Sequence, residues 1–144
     1  MTFWRDSTSR EAQNDLDELL SASLGFAQQQ LADYGEFFPY SVVVGVDGQA
    51  EMIAARPDDD RPASADIIAS CRTFITERRD QLRAAAIIAD VRVADLGGDA
   101  IRVDLEHAEG PALTVQLPYT KNSGNIIDYG QLRASSGTRT IWPG

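Results

Sequence analysis

Residues 86–117 read AIIADVRVADLGGDAIRVDLEHAEGPALTVQL, and this stretch decides the fold. Apolar and polar residues alternate through it, which is typical of half-buried strands because successive side chains of a strand point to opposite faces. The pattern predicts three consecutive antiparallel strands whose odd-numbered positions share one buried face. Those positions are Ile87, Ala89, Val91, Val93, Ile101, Val103, Leu105, Leu113, Val115 and Leu117.

The second turn of this stretch predicts a register. Residues 108–110 (Ala-Glu-Gly) suit a three-residue hairpin loop with Gly at the left-handed position. Such a loop pairs Leu105 with Leu113 and Val103 with Val115.

The first turn, Leu96 to Asp99, is looser. A symmetric register around it would place Arg92 opposite Arg102 and Asp90 opposite Asp104. Because like charges directly opposed are unfavourable, we expect a slipped or diagonal pairing instead.

The chain before these strands carries the signals of a long helix. Thr8 followed by Glu11 fits a capping box, the apolar spacing predicts a helix from Ala12 to Tyr34, and Gly35 suits its C-cap. The predicted apolar stripe is Leu16, Leu19, Leu20, Leu24, Ala27, Leu31 and Tyr34. The acidic residues predicted near the opposite side are Glu11, Asp15, Glu18 and Asp33.

A β-hairpin is predicted next, with strands from Ser41 to Val46 and from Gln49 to Arg56 around Asp47-Gly48. Its first strand is apolar on both faces, which predicts a cover on both sides. Either a central position or a second subunit would provide that cover, so a homodimer stays open. The aromatic linker at residues 36–40 is expected in the core, or alternatively as a pocket wall with Glu36 as its polar group.

A second helix is predicted after a polar loop at residues 57–62, with Ser64 as its N-cap. Cys71 lies on the apolar stripe of this helix and is expected to be a buried, inert thiol. Ile126 to Ala134 and Thr138 to Trp142 are predicted as a last hairpin around Ser136-Gly137.

Together these elements predict an α+β fold, with a single antiparallel sheet of five or six strands and two helices. The order is α-β-β-α-β-β-β, with two further strands possible at the end. Residues 1–144 are expected to form one domain, large enough for a core of its own, with residues 1–8 as an exposed lead-in.

The charge of the chain is strongly asymmetric. The net charge is −9, and residues 1–60 contain 12 acidic and 3 basic residues, while residues 61–144 contain 10 of each. Nucleic acid is therefore not expected as a partner, because binding phosphates needs a basic surface. A basic protein is the more natural partner, although solubility alone also explains such a charge.

Location follows from what the sequence lacks. No apolar run approaches the ~20 residues of a membrane span, and the N-terminus does not resemble a signal peptide. The single cysteine cannot form an internal disulfide. These features predict a cytoplasmic protein that does not bind a membrane.

Motifs for catalysis and cofactors are missing. The sequence contains no glycine-rich phosphate loop, no paired cysteines, no HExxH and no nucleophile elbow, and we expect no cofactor and no metal. The acidic run at residues 58–60 lacks the spacing of a calcium loop. The only histidine, His107, is expected on the inward face near the Ala108 turn, where a structural hydrogen bond is more common than a catalytic role.

Two short motifs carry a resemblance. Gly35-Glu36-Phe37-Phe38-Pro39-Tyr40 and the later Leu117-Pro118-Tyr119 resemble segments of a family of small uncharacterised bacterial α+β proteins. That resemblance implies the order helix, hairpin, helix and strands. It implies no activity.

Two functional hypotheses follow. In the first, the chain is a non-enzymatic interaction protein of the immunity or adaptor type, which binds a basic partner through Glu11, Asp15, Glu18 and Asp33. In the second, it is a small-molecule-binding domain or a weakly active enzyme. The residues nominated for that alternative are Glu36, Tyr40, Arg102, His107 and Tyr119. The charged outer face predicted for Asp90, Arg92, Arg102, Asp104 and Glu106 is either a ligand site or a solvent-facing set of weak ion pairs.

Overall fold

The computed structural model describes residues 9–53, 63–93, 98–123 and 126–142. The predicted lead-in at residues 1–8, the Thr8 cap and the acidic loop at residues 58–60 lie outside the described residues. The helices are α1 (Arg10–Tyr34) and α2 (Ser64–Glu77). The strands are β1 (Tyr40–Gly45), β2 (Ala50–Ile53), β3 (Leu82–Val93), β4 (Gly98–His107), β5 (Ala112–Asn122), β6 (Ile126–Tyr129) and β7 (Arg133–Ser136).

All seven of these strands join one antiparallel sheet, which curls into a half-barrel. Its order is β2-β1-β3-β4-β5-β6, and β7 also pairs with β5. The α+β class and the predicted order of helices and strands are confirmed. Helix α1 packs on one face of the sheet, here called the first face, and α2 packs on the other, here called the second face.

Helix α1 has a side-chain cap at one end and a left-handed glycine at the other. The Ser9 hydroxyl accepts a hydrogen bond from the Ala12 N–H at 3.1 Å. Gly35 is left-handed with φ 75°, and its N–H donates to the Leu31 carbonyl at 2.9 Å, as predicted for the C-cap. The leucines of the predicted stripe face the sheet, but Tyr34, the last residue of the helix, is 70% exposed, so its place in the stripe is wrong.

The prediction that the odd-numbered residues of β3 and β4 share a face is wrong. Ala86 pairs with Leu105 and Ile88 with Val103, so the even-numbered residues of β3 lie on the first face with the odd-numbered residues of β4. Ile87 packs on the second face. Residues 84–89 are all buried, and a strand that is apolar on both faces has no alternation from which its faces can be told apart.

The predicted slip of the first turn is confirmed. Arg92 pairs with Asp99 rather than with Arg102, and the Arg92 Nη1 lies 3.7 Å from the Asp99 Oδ1. Like charges are therefore not opposed across this pair of strands. The second turn keeps both predicted pairs, Leu105 with Leu113 and Val103 with Val115.

The two-sided valine strand β1 is covered without a second subunit. It lies between β2 and β3, with Val42 and Val44 in the core under α1 and Val43 in the core under α2. Cys71 of α2 is fully buried, as expected. The predicted Ser64 cap is wrong: Ala63 is the N-cap residue and no side chain caps the helix.

The end of the chain differs from the predicted last hairpin. Strands β6 and β7 pair with different halves of β5, and Thr138 to Trp142 is not a strand. The Pro118 carbonyl accepts from the Gly130 N–H at 2.8 Å, so Pro118 faces this edge but has no N–H to donate. The missing donor interrupts the ladder, which explains why the edge is made of two short strands.

Gly137 is needed at the point where the chain leaves β7. A Cβ at this position would lie 2.9 Å from both the backbone N and the backbone C of Leu113. We expect Gly137→Ala to push residues 137–142, here called the C-terminal segment, away from the sheet and to lower the free energy of unfolding by about 1–3 kcal/mol. Thermal unfolding measures the loss, and faster tryptic cleavage after Arg139 reports the displaced segment.

The matched control for this variant is Gly25→Ala. Gly25 lies within α1, where a Cβ would meet nothing within 4 Å. This change should raise the free energy of unfolding by about 0.5–1 kcal/mol, because Ala favours helix over Gly. Equal effects of the two substitutions would contradict the steric role of Gly137.

Candidate functional site

The four acidic residues nominated on α1 do not form one surface. Glu18 and Asp33 are exposed, whereas Asp15 is only 3% exposed and faces the sheet. Glu11 is exposed, and its Oε1 lies 2.8 Å from the Nη1 of Arg83 on β3. The prediction that Asp15 lies on the side opposite the apolar stripe is therefore wrong. Its carboxylate faces the sheet, where side chains of β3 and β4 make its burial tolerable.

Arg83 is the first partner of the buried Asp15 carboxylate. Its Nη2 donates to Asp15 Oδ1 at 2.9 Å. Its Nε is also 2.9 Å from Asp15 Oδ2, but the N–H is not directed at a described acceptor, so this contact is an ion pair and not a hydrogen bond. The hydrogen bond with Asp15 raises the pKa of Arg83 above its already high value, so the guanidinium stays charged.

His107 is the second partner, and both of its ring nitrogens are engaged. Its side chain is buried, its Nε2 lies 2.9 Å from Asp15 Oδ2, and its Nδ1 accepts the Glu109 N–H at 3.1 Å. An Nδ1 that accepts carries no proton, so this geometry places the proton on Nε2, which donates to Asp15. A general base needs a free ring nitrogen within reach of substrate, and His107 presents none in this arrangement.

Tyr40 lies under α1 and away from His107. Its hydroxyl donates to the Ser23 carbonyl, and its ring packs edge-to-face against Phe26 at a centroid distance of 4.8 Å. Burial raises the pKa of Tyr40. Tyr40 pairs with Ile88 on β3 while His107 pairs with Ala84, which separates the two rows by about 13 Å along the strand. The structure does not bring them into one pocket.

Tyr119 and Glu36 both act on Asp90, at the opposite end of the sheet from His107. The Tyr119 hydroxyl donates to Asp90 Oδ1 at 2.5 Å. Burial raises the pKa of the Asp90 carboxyl, and the negative charges of Asp99 and Glu36 add to that rise. The hydrogen bond from Tyr119 and the positive charge of Lys121 act in the other direction on this pKa. Lys121 also donates to the Gly35 carbonyl at 3.0 Å.

The predicted charged outer face is split between the two faces of the sheet. Asp90 lies on the first face, where it bonds Tyr119, whereas Arg102, Asp104 and Glu106 lie on the second. Arg102 Nε donates to Asp104 Oδ2 at 3.1 Å, and the Thr114 hydroxyl donates to Asp104 Oδ1 at 2.8 Å. Arg102, Asp104 and Glu106 line a cleft of about 350 Å³ between β4, β5, α2 and residues 135–141. This cleft is here called the second-face cleft.

Glu106 is not part of a solvent-facing set of ion pairs. It is 4% exposed, and its carboxylate accepts hydrogen bonds from the backbone N–H groups of Thr140, Ile141 and Trp142. Arg79, in the short 3₁₀ turn after α2, donates from its Nη1 to the Ile141 carbonyl at 3.1 Å. Glu106 therefore fixes the C-terminal segment on the second face, where Ile141 enters the core.

Comparisons with known proteins add no assignment. A scan against protein-family models gives no match, and searches of curated proteins and of solved structures give none either. Among the described residues, no group of three or more His, Cys, Asp or Glu side chains is arranged to hold a metal ion. Over the same ranges, no helix is both long enough and apolar enough to cross a membrane.

Sequence reasoning missed the partners of the buried carboxylates. Arg83 and His107 lie 68 and 92 residues from Asp15, so no local pattern links them. The one available signal was Arg83 itself, a charged residue directly before the apolar run of β3. Such a residue is expected to need a buried or interfacial partner.

Asp15→Ala tests the buried network. It leaves the buried Nε2–H of His107 without an acceptor, and we expect the free energy of unfolding to fall by about 1–3 kcal/mol. Chemical denaturation measures the change. Glu18→Ala, an exposed acid on the same helix, is the control and should stay within about 0.5 kcal/mol of the wild type. A loss of similar size in both variants would contradict the network.

Asp90→Asn tests the raised pKa of Asp90. The folded pKa lies above the ordinary 3.8, so the native state holds this proton more tightly than the unfolded state does. Its contribution to stability is full below pH 3.8 and is lost as pH rises through the folded pKa. Asn cannot ionise, and its Oδ1 can still accept from Tyr119.

The Tm of Asp90→Asn relative to wild type should therefore rise between about pH 3 and about pH 7. Asp33→Asn, which removes an exposed carboxylate, is the matched control and should show little such trend. A Tm difference for Asp90→Asn that does not change with pH would count against the assignment.

Proposed function

We propose that this chain is a non-enzymatic interaction protein that binds a basic protein partner through the exposed acidic side of α1. The observation that carries the proposal is the charge asymmetry, with the whole excess of −9 in residues 1–60. Of the exposed nominated carboxylates on α1, Glu11 is paired with Arg83, whereas Glu18 and Asp33 form no ion pair with another described residue. Asp15 is not part of this surface.

The spacing of these carboxylates favours a macromolecular partner. Glu18 and Asp33 are 15 residues apart, which is about 22 Å along the helix and close to the same side of it. A compact small molecule contacts only one of the two carboxylates, whereas a protein surface with matching basic residues reaches both. Long-range attraction between such surfaces raises the association rate more than it raises the affinity.

The buried polar groups support the non-enzymatic part of the proposal. Asp15, Glu106 and His107 are the buried acidic and basic residues of the described chain, and each is engaged by internal hydrogen bonds. Active sites usually keep such groups available to substrate. Here the same groups hold α1 and the C-terminal segment in place.

We also propose a cytoplasmic location and no role in binding nucleic acid or membranes. Cys71 is buried and forms no disulfide, and the negative charge opposes phosphate groups. Membership of the small bacterial α+β family indicated by the two short motifs is part of the same proposal. A homodimer stays open, but β1 gives it no support because α2 covers the second side of that strand.

Charge reversal tests the acidic surface. Glu18→Lys/Asp33→Lys changes two exposed positions on α1, and the matched control Glu77→Lys/Asp80→Lys makes the same charge change at two exposed positions, one at the end of α2 and one just after it. We expect a basic protein to be captured from an extract of the source cells at low salt and released at high salt. Mass spectrometry identifies it, and its purified form then gives the affinity by calorimetry.

The α1 variant should weaken that purified interaction by about tenfold or more, while the control retains it, because like charges facing each other across an interface are unfavourable. Equal weakening in both variants would show that net charge matters and not this surface. Capture that is insensitive to salt, or no basic protein retained by the wild type, would overturn the proposal.

A further inference from the structure

The second-face cleft is large enough for a small molecule. Its volume of about 350 Å³ corresponds to roughly a dozen water molecules and falls at the lower end of the range for ligand pockets. The floor is formed by β4 and β5 on the second face of the sheet, and the walls are formed by α2 and residues 135–141. It is open to solvent on one side and lies on the layer opposite α1.

The carboxylates of this cleft are already satisfied from within the protein. Asp104 accepts from Arg102 and from the Thr114 hydroxyl, and Glu106 accepts from successive backbone N–H groups of the C-terminal segment. Asp104 is thus paired with the charge of Arg102, and the Glu106 carboxylate has its hydrogen-bond donors from the backbone. Both carboxylates therefore have hydrogen-bond donors from the protein before any ligand enters the cleft.

Hydrogen-bond donors remain in excess. Arg72 of α2 donates to the Thr140 hydroxyl, a neutral group, and forms no ion pair with a carboxylate in the part of the chain that the structure describes. Arg102 uses Nε and Nη2 for Asp104, which leaves its Nη1. Because a guanidinium carries donors only, two such groups facing one cleft favour an acceptor with negative charge.

We propose that the second-face cleft binds a small molecule with a carboxylate or phosphate group, held by Arg72 and Arg102. Ile87 and Ile141, whose side chains lie on the second face, provide an apolar wall for a short hydrocarbon or aromatic part of the ligand. Guanidinium groups suit both oxyanions, since their planar donors match the oxygen pairs of either. The proposal is independent of the acidic surface of α1, because it uses different residues on the opposite layer.

Titration by ¹H–¹⁵N NMR with three separate probes tests this site: inorganic phosphate, phenyl phosphate and benzoate. We expect saturable shifts at the amides of Thr114, Ser135 and Thr140, with tighter binding of phenyl phosphate or benzoate than of inorganic phosphate. Comparing the two aromatic probes shows whether the oxyanion is a phosphate or a carboxylate. The dissociation constant of the better probe should be about 1 mM or lower.

Arg72→Gln and Arg102→Gln should each weaken the better probe by at least about tenfold, as expected for the loss of a charge-assisted hydrogen bond. Arg92→Gln is the control, because Arg92 is an arginine with a 75% exposed side chain away from the cleft. It should bind like the wild type. If the NMR spectrum of Arg72→Gln loses its dispersion, that variant does not fold. The test is then the comparison of Arg102→Gln with Arg92→Gln, because both residues are exposed and their replacement is tolerated.

Two results would overturn the proposal. One is the absence of saturable shifts in the cleft with all three probes. The other is equal weakening by Arg92→Gln and by the cleft variants, which would mean that the anions respond to the overall charge of the protein and not to this site.

Discussion

The buried Asp15 carboxylate is the interaction on which the packing of α1 depends. A charge removed from water is tolerated only when opposite charge and hydrogen bonds surround it. Arg83 supplies the charge and a hydrogen bond from β3, and His107 supplies a second hydrogen bond from β4. Because both donors come from the sheet, rotating or sliding α1 would leave the carboxylate unsatisfied. The leucines hold α1 on the sheet, and Asp15 selects one position among the many that leucine packing allows.

The end of β4 joins the two layers of the protein. Glu106 and His107 are consecutive, so their side chains point to opposite faces. His107 binds α1 through Asp15 on the first face, and Glu106 binds the C-terminal segment on the second. Arg139 of that segment donates to the His107 carbonyl at 3.2 Å, which links the two anchors again. A helix near the start of the chain and the segment at its end are therefore both positioned by one pair of strand residues.

Local signals predicted the elements, and they failed where burial is two-sided or a partner is distant. The Gly35 cap and the loop at residues 108–110 each depend on a few adjacent residues, and both are found in the structure. A turn is also found at Asp47-Gly48, but Val44 pairs with Ala50, so its loop has three residues and not the predicted two. The faces of β3 could not be assigned, because residues 84–89 are buried on both sides. Asp15 was grouped with the exposed acids of α1, since nothing nearby in sequence shows its partners. Glu106 was placed on the correct polar face, but its cover comes from a segment 34 residues later.

The candidate sites lie outside the buried polar groups because those groups are already engaged in holding the layers of the protein together. Ionisable residues that hold layers together have their hydrogen bonds fixed, so using them for chemistry would loosen the fold. The groups that retain binding capacity are at the surface of each layer. On α1 these are carboxylates spread along a helix, which suits an extended basic protein surface. On the second face they are guanidiniums that share a cleft, which suits a compact oxyanion. The opposite charges and different shapes of the two surfaces distinguish the two proposed sites, so a variant that weakens one is expected to leave the other intact.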